Sequence, residues 1–298
     1  MRHRVATQYA DLQQRLRSLG SVLVAFSGGV DSALLLKVAV DTLGREHVLA
    51  VTGRSPAVPR TDMEDAQRLA AEIGARHEFL DTGEFENPHY TANPADRCYH
   101  CKSDLFERLT QLAQTRGLAA VVNGDNADDV GDYRPGRAAA DRLAVRSPLA
   151  ECGIGKASLR EMASALGLSV ADKPASPCLS SRIQYGETIT PDKLARVDAA
   201  ETLLRDLGFV PCRVRHHGDL ARIEVLPEEI ERLARNEVRT RVEQALRELG
   251  YRYVTLDARG FRSGSMNERL PIADPAPEPD RAPGKTGRGG LHGGERSG

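Results

Sequence analysis

Ser27-Gly28-Gly29-Val30-Asp31-Ser32 is the string in this sequence best suited to chemistry. Adjacent glycines let a backbone come close to a bound group, and the flanking serine hydroxyls add donors. The apolar run Val22-Leu23-Val24-Ala25-Phe26 precedes it and Ala33-Leu34-Leu35-Leu36 follows it, so the stretch reads as strand, glycine turn and helix. A helix N-terminus offers free N–H groups and a positive dipole end, so an anion is the natural guest and pyrophosphate fits best. The Walker arrangement Gly-x4-Gly-Lys-Ser is absent. Asp31 would repel a phosphate unless a divalent cation stood between them, so it predicts Mg²⁺ in the site. It also suits a helix N-terminal cap.

Three further groups carry chemistry. Gly124-Asp125-Asn126-Ala127-Asp128-Asp129 reads either as a second metal-contact region or as a solvated turn. The polar stretch 127–146 behind it, with Asp132, Tyr133 and Arg134, reads as a functional loop and not as packing material. Cys98-Tyr99-His100-Cys101 has metal-ligand spacing, but no second CxxC or His-x3-His completes a zinc site. Cys178 stands in Lys173-Pro174-Ala175-Ser176-Pro177-Cys178-Leu179-Ser180-Ser181-Arg182, where two prolines forbid a regular element. It can supply a third thiolate, for zinc or for a [4Fe–4S] cluster with one open iron. The plainer readings are a redox disulfide for Cys98 and Cys101 and a buried structural thiol for Cys178. Cys152 and Cys212 carry no motif and read as structural. Arg213 and Arg215 alternate along a strand and share a face, so both guanidiniums can clamp one phosphate, with Tyr133, Arg134 and Arg182 adding polar and positive groups. A solvated edge strand is the alternative there.

The elements that must position these groups follow from periodicity. Residues 5–19 form a helix with Leu12, Leu16 and Leu19 on one face. Strands are expected at 48–51, 77–80 and 119–123, with a helix at 61–73 capped by Thr61 or Asp62 and stopped by Gly74. Residues 84–96 read as a polar loop, and a helix opens at Arg97. A helix at 158–166 and a short strand at 168–170 complete the alternation. Strands alternating with helices imply an α/β fold with a doubly wound parallel sheet, whose ligands sit at the carboxyl ends of the strands. Ser27-Gly28-Gly29, Thr52-Gly53-Arg54-Ser55 and Gly124-Asp125-Asn126 are such ends and can share one crevice. After Gly186 the pattern changes: a helix at 191–207, alternating strands at 212–217 and 220–225, helices at 228–234 and 238–249, and a strand at 251–256. The expected organisation is a nucleotide domain over 1–186, a smaller α+β domain over 187–270 and a disordered tail over 271–298, rich in Pro, Gly and charge.

Composition bounds the function. Of 298 residues, 40% are apolar and 28% charged, which suits a soluble globular protein. The net charge of −1 gives no global attraction to nucleic acid. No apolar run reaches membrane-spanning length and the N-terminus has no signal-peptide core, so a cytoplasmic location is expected. There the cysteines are free, metal-bound or catalytic.

The glycine string resembles the PP-loop of N-type ATP pyrophosphatases (an adenine nucleotide α-hydrolase-like fold), which split ATP into AMP and pyrophosphate to adenylate a substrate. The wider pattern resembles the LarE family of ATP-dependent sulfur transferases. Ala25-Phe26-Ser27-Gly28-Gly29-Val30-Asp31-Ser32, Asp132-Tyr133-Arg134-Pro135-Gly136, Cys178-x-Ser180-Ser181-Arg182-x-x-Tyr185-Gly186, Arg213-Val214-Arg215-His216, Ala221-Arg222-Ile223-Glu224 and the strings over 250–257 and 260–264 carry the match, which runs to about Asn267. The resemblance implies work on a pyridinium dicarboxylate mononucleotide in nickel-pincer nucleotide biosynthesis: ATP adenylates a carboxylate, and sulfur displaces AMP. It implies that Ala25, Ser27, Gly28, Gly29, Asp31, Ser32, Gly124, Asp125 and Asp129 hold ATP and Mg²⁺. Cys178, Asp31, Ser180 and Arg182 are then the catalytic set, and Tyr133, Arg134, Arg213, Arg215, Glu201 and Glu224 hold the substrate. In sacrificial members the cysteine at the position of Cys178 gives up its own sulfur. Cys98 and Cys101 depart from that pattern and match relatives with a [4Fe–4S] cluster on three cysteines, here Cys98, Cys101 and Cys178. The resemblance also implies a homo-hexamer, a small-molecule substrate, and no nucleic-acid or membrane partner. The rival readings are a tRNA thiolation enzyme and an amide-forming pyrophosphatase of the NAD or GMP synthetase type.

Overall fold

The computed structural model describes residues 2–129, 135–173 and 176–262. Tyr133, Arg134 and the segment 271–298 lie outside them. The first part alternates strands and helices: α1 His3–Leu19, β1 Val22–Ala25, α2 Val30–Leu43, β2 Val48–Arg54, α3 Arg60–Ile73, β3 Arg76–Asp81, α4 Pro88–Thr91, α5 Arg97–Thr115, β4 Ala120–Val122, α6 Pro135–Arg142, α7 Pro148–Glu151 and α8 Lys156–Ala165. The strands form one parallel sheet in the order β3-β2-β1-β4.

Strand alternation explains the two layers. Val22, Val24, Val48, Ala50 and Val122 share a core with residues of α1, α2, α3 and α8. Leu23, Leu49, Val51 and Val121 share a separate core with Phe106, Leu109 and Ala113 of α5 and Ala139 and Ala140 of α6. Helices therefore cover both faces, and β1, β4 and the first four residues of β2 are apolar at every position, while the edge strand β3 is mixed. Leu34, Leu35 and Leu36 of α2 are completely buried, and such a side chain contributes about 1.5–3 kcal/mol.

Several expectations need correction. Helix α3 starts at Pro59 without a side-chain cap, so neither Thr61 nor Asp62 caps it. Its stop at Gly74 is left-handed (φ 79°, ψ 19°), as a glycine there allows. Residues 168–170 are a turn and not a strand. The open side of β4 is already taken, because Arg146 N donates to Val121 O at 2.9 Å and Asn123 N donates to Arg146 O at 2.9 Å. Leu168 and Val170 bury their side chains in the first core without joining the sheet. The stretch 127–146 is partly packing, since α6 lays Ala139 and Ala140 against α5. The loop 84–96 contains a 3₁₀ turn Glu84–Glu86 and α4, whose Asn87 side chain accepts the His89 N–H at 2.9 Å with Pro88 in its first turn.

The second part contains α9 Pro191–Asp206, β5 Cys212–His217, β6 Leu220–Val225, α10 Ile230–Ala234, α11 Asn236–Glu248 and β7 Tyr253–Leu256. β5 and β6 are antiparallel, β6 and β7 parallel, around a core that includes Leu204, Phe209, Val214, Ile223, Leu246 and Tyr251. The fold is thus an α/β parallel sheet with a smaller mixed-sheet domain. A further cluster joins the two: Ala57, Tyr90, Leu179 and Ile183 pack with Leu194 and Val197 of α9, and Cys101 lies against them. No helix among the described residues is long and apolar enough to cross a membrane.

Candidate active site

The glycine turn folds around one hydroxyl. Ser32 Oγ accepts from Ser27 N at 3.2 Å, lies 3.1 Å from Ser27 Oγ and donates to Gly29 O at 3.1 Å. Gly28 has φ +72°, and a Cβ there would stand 3.1 Å from Ala66 of α3. A side chain is therefore excluded by both strain and space. A Cβ on Gly124 would lie 2.9 Å from Ser32 N, so the end of β4 is pressed against the first turn of α2. Thr52 Oγ1 donates to Phe26 O at 2.7 Å. The carboxyl ends of β1, β2 and β4 meet as the strand order requires.

Asp31 faces this crevice with an unexpected partner. Lys156 Nζ donates to both of its oxygens, at 2.7 and 2.6 Å, and Asn126 Nδ2 donates to Oδ1 at 3.3 Å. Lys156 escaped the sequence reading. Its signal was present: a lysine in the first position of a helix opposes the dipole and asks for a reason. Asp128 supplies part of that reason, because its Oδ2 accepts the Lys156 N–H at 2.7 Å. Asp129 is buried and accepts the Asn126 N–H at 3.0 Å and Asn126 Nδ2 at 2.8 Å. Asp125 accepts Asn123 Nδ2 at 2.8 Å. Asp125 and Asp129 thus hold the loop's own shape, and Asp128 ties it to the start of α8.

The cysteines come from two segments. Cys98 and Cys101 occupy the first turns of α5, Cys98 exposed and Cys101 half-buried. Cys178 is exposed and directly precedes a 3₁₀ turn Leu179–Arg182. That turn is fixed from every side. Leu179 N donates to Ala57 O at 2.8 Å, just beyond the end of β2. Ala57 N donates to Ser55 Oγ at 3.0 Å, and Ser55 in turn bonds Glu84. Tyr90 OH and Ser180 Oγ, both buried, are 2.6 Å apart. Arg182 donates to Pro177 O at 2.8 Å and Cys178 O at 3.2 Å, and its other side pairs with Glu201 at 2.8 and 3.1 Å. Arg215 donates to Ser181 O at 2.8 Å and pairs with Glu224 at 2.9 and 3.0 Å. Both ion pairs are almost completely buried. Ser176 Oγ and Lys173 Nζ bind Asp62 of α3, the helix that Gly28 touches.

Burial pushes the thiols of Cys98 and Cys101 up, and the nearby charge of Cys178 pushes both further. Glu84 adds to the rise at Cys101, while Arg97 and Lys102 oppose it at Cys98. Each of these thiols thus feels the charge of Cys178, and bringing all three to the thiolate would need a compensating cation. Among the described residues no group of three or more His, Cys, Asp or Glu side chains is placed to hold a metal ion, so the structure does not gather the expected three-cysteine metal site. Burial raises the buried Cys212 thiol to about 12, and Cys152 packs against the first core.

Arg213 and Arg215 differ in engagement. Arg215 is ion-paired and holds the cysteine turn. Arg213 is buried and stacks over the Phe261 ring at 4.7 Å, and its guanidinium makes no hydrogen bond to a described residue. Burial first, then Arg182 and Arg215, push it down to about 10. Glu201 and Glu224 are the counter-charges of Arg182 and Arg215.

A glycine turn at the carboxyl end of a parallel strand, opening onto a helix with a carboxylate in its first turn, defines a PP-loop enzyme. The family model for NAD synthase, a PP-loop family, matches residues 5–97. An uncharacterised protein of Synechocystis is 47% identical over 260 residues, covering 87% of this chain and 97% of its own length. The Lactiplantibacillus plantarum pyridinium-3,5-bisthiocarboxylic acid mononucleotide synthase is 43% identical over 267 residues, 89% of this chain and 96% of that enzyme. A tRNA-specific 2-thiouridylase of Beijerinckia indica is 28% identical over 212 residues, 58% of this chain and 49% of its own. The chain belongs to the LarE family, and it is an ATP-using, sulfur-transferring enzyme.

Proposed function

We propose that this enzyme uses ATP to adenylate a carboxylate of a pyridinium dicarboxylate mononucleotide and converts it to a thiocarboxylate. The carboxylate oxygen bonds to the α-phosphorus and pyrophosphate leaves. Sulfur then bonds to the acyl carbon and AMP leaves. The observation that carries this reading is the seat of the Cys178 turn. It is hydrogen-bonded to Ala57 beyond β2, one strand from the glycine turn, so sulfur and nucleotide share one end of the sheet.

The N-terminus of α2 with Ser27 and Ser32 holds the phosphates. Asp31 holds Mg²⁺ once Lys156 turns from it toward the phosphates. Arg213, a buried cation whose guanidinium has no hydrogen bond among the described residues, holds the substrate phosphate, and Arg215 with Arg182 keeps the sulfur turn in place. Cys98, Cys101 and Cys178 would hold an iron–sulfur cluster, which supplies exchangeable sulfide when bound. The exposure of Cys178 supports a second reading, in which its own sulfur is given up. Iron and acid-labile sulfide that vanish in Cys98→Ala support the first. A mass loss of hydrogen sulfide from Cys178 after one turnover supports the second.

Pyrophosphate release from ATP on adding the pyridinium mononucleotide tests the whole; if the substrate has no effect, the reading fails. Asp31→Ala abolishes that release while the circular dichroism spectrum is kept, and undiminished release would remove Asp31 from the metal site. Arg213→Ala weakens the pyridinium mononucleotide by about 2–5 kcal/mol if the clamp is desolvated. It leaves ATP affinity unchanged, as parallel titrations of both ligands check. Equal losses would place Arg213 on the wrong ligand.

A further inference from the structure

His216 lies on β5, where the two parts of the chain meet, and is 2% exposed. Its Nδ1 stands 3.2 Å from the Tyr251 hydroxyl. Its Nε2 is closed to solvent, makes no hydrogen bond of good geometry and lies 3.3 Å from Glu187 Oε1. The same carboxylate oxygen accepts Lys193 Nζ of α9 at 2.8 Å. The backbone joins there as well. Ile183, just past the Cys178 turn, forms an isolated parallel bridge with His216. Glu187 O accepts Asn93 Nδ2 at 3.2 Å, and Arg215, next to His216, donates to Ser181 O at 2.8 Å. One histidine thus sits where β5 meets the segment 181–187.

The protonation of the ring decides how well this joint closes. Burial pushes the Tyr251 hydroxyl up, so it keeps its hydrogen and donates to a neutral Nδ1. The ring hydrogen is then on Nε2, facing Glu187. Protonation puts hydrogens on both nitrogens. Tyr251, itself 2% exposed, then loses the acceptor of its hydroxyl, and a buried donor without an acceptor is costly. The surrounding charges lean the same way. Burial first holds the imidazole below its ordinary value; Glu187 opposes this, while Lys193 and Arg196 of α9 and His217 of β5 add to it. Arg196 lies over the Tyr251 ring at 5.3 Å, and Glu187 already answers Lys193. Because the value is lowered in the closed joint, closure is favoured in full above the ordinary histidine value of about 6.5 and loses ground as pH falls below it.

We propose that His216 is an acid-sensitive latch on this joint: neutral, it holds β5 against the segment 181–187, and protonated, it lets that edge part. Arg215 of the same strand holds the Cys178 turn, so acid releases the turn while the glycine turn keeps its own local hydrogen bonds. The latch does not depend on which substrate the enzyme takes.

Hydrogen–deuterium exchange of the full-length protein tests it, at about pH 7.5 and about pH 5.5, with labelling times scaled for the intrinsic exchange rate. Peptides covering 181–187 and 212–217 lose protection at least about tenfold at the lower pH, and peptides of β1 and β2 do not. His216→Phe, whose ring takes no proton, and His216→Gln, whose amide oxygen still accepts from Tyr251, show no change between the two pH values. Equal protection of the wild type at both pH values would overturn the latch. Greater protection in acid would overturn it too, because the Glu187 pair would then have won. So would an acid loss that survives in both variants. Ring-proton NMR of the wild type needs no variant: the His216 midpoint falls below about 6.5, and one at or above it would overturn the assignment.

Discussion

Cys178→Ser retains ATP–pyrophosphate exchange and loses sulfur transfer by a factor on the order of 10³ or more. The two half-reactions use different groups. On the proposed function, exchange depends on the glycine turn, Asp31 and the β-strand ends. On the same proposal, sulfur transfer depends on the Cys178 thiol, whether it holds a cluster or gives up its own sulfur. Serine keeps the shape of the turn, because the bonds that fix it run through the Cys178 carbonyl, Leu179 N–H and Ser180 hydroxyl. Thiocarboxylate product is followed by mass spectrometry beside radiolabelled pyrophosphate exchange. Wild-type levels of product from Cys178→Ser would take this cysteine out of the chemistry altogether.

Arg182→Met lowers folding stability by about 3–5 kcal/mol and uncouples sulfur transfer from adenylation in whatever protein folds. The size comes from what is left behind. Glu201 is 1% exposed, and without Arg182 its carboxylate keeps the Val214 N–H at 3.0 Å and a longer contact to Arg205 at 3.6 Å. A buried carboxylate so poorly matched costs several kcal/mol. The double variant Arg182→Met with Glu201→Leu removes both charges and regains most of the stability. It does not regain sulfur transfer, because the Pro177 and Cys178 carbonyls have lost their donor. Urea denaturation measures the first effect. A single-variant loss under about 1 kcal/mol, the range of exposed pairs, would show that the pair is not buried in solution.

What was legible in the residues is what neighbouring residues decide. The run from Val22 to Phe26, the glycines behind it and the apolar start of α2 set a strand, a turn and a helix through steric and periodic rules that act within a few residues. Gly74 stops α3 for the same local reason. Alternation along β5 and β6 put Arg213 and Arg215 on one face without reference to anything distant. The site's wiring was not legible, because it depends on where the chain returns. Lys156 reaches Asp31 across 125 positions, and Tyr90 meets Ser180 across 90. Both arginines on β5 looked equivalent, and only the placement of Glu224 and the Ser181 carbonyl bound one guanidinium and left the other without a hydrogen bond to a described residue. Residues 168–170 have strand-like side chains, yet Arg146 already occupies the edge of β4. Local propensity sets which elements can form. Hydrogen-bonding capacity and counter-charge, satisfied only once distant segments are packed together, decide which of them join and which side chains remain for a ligand.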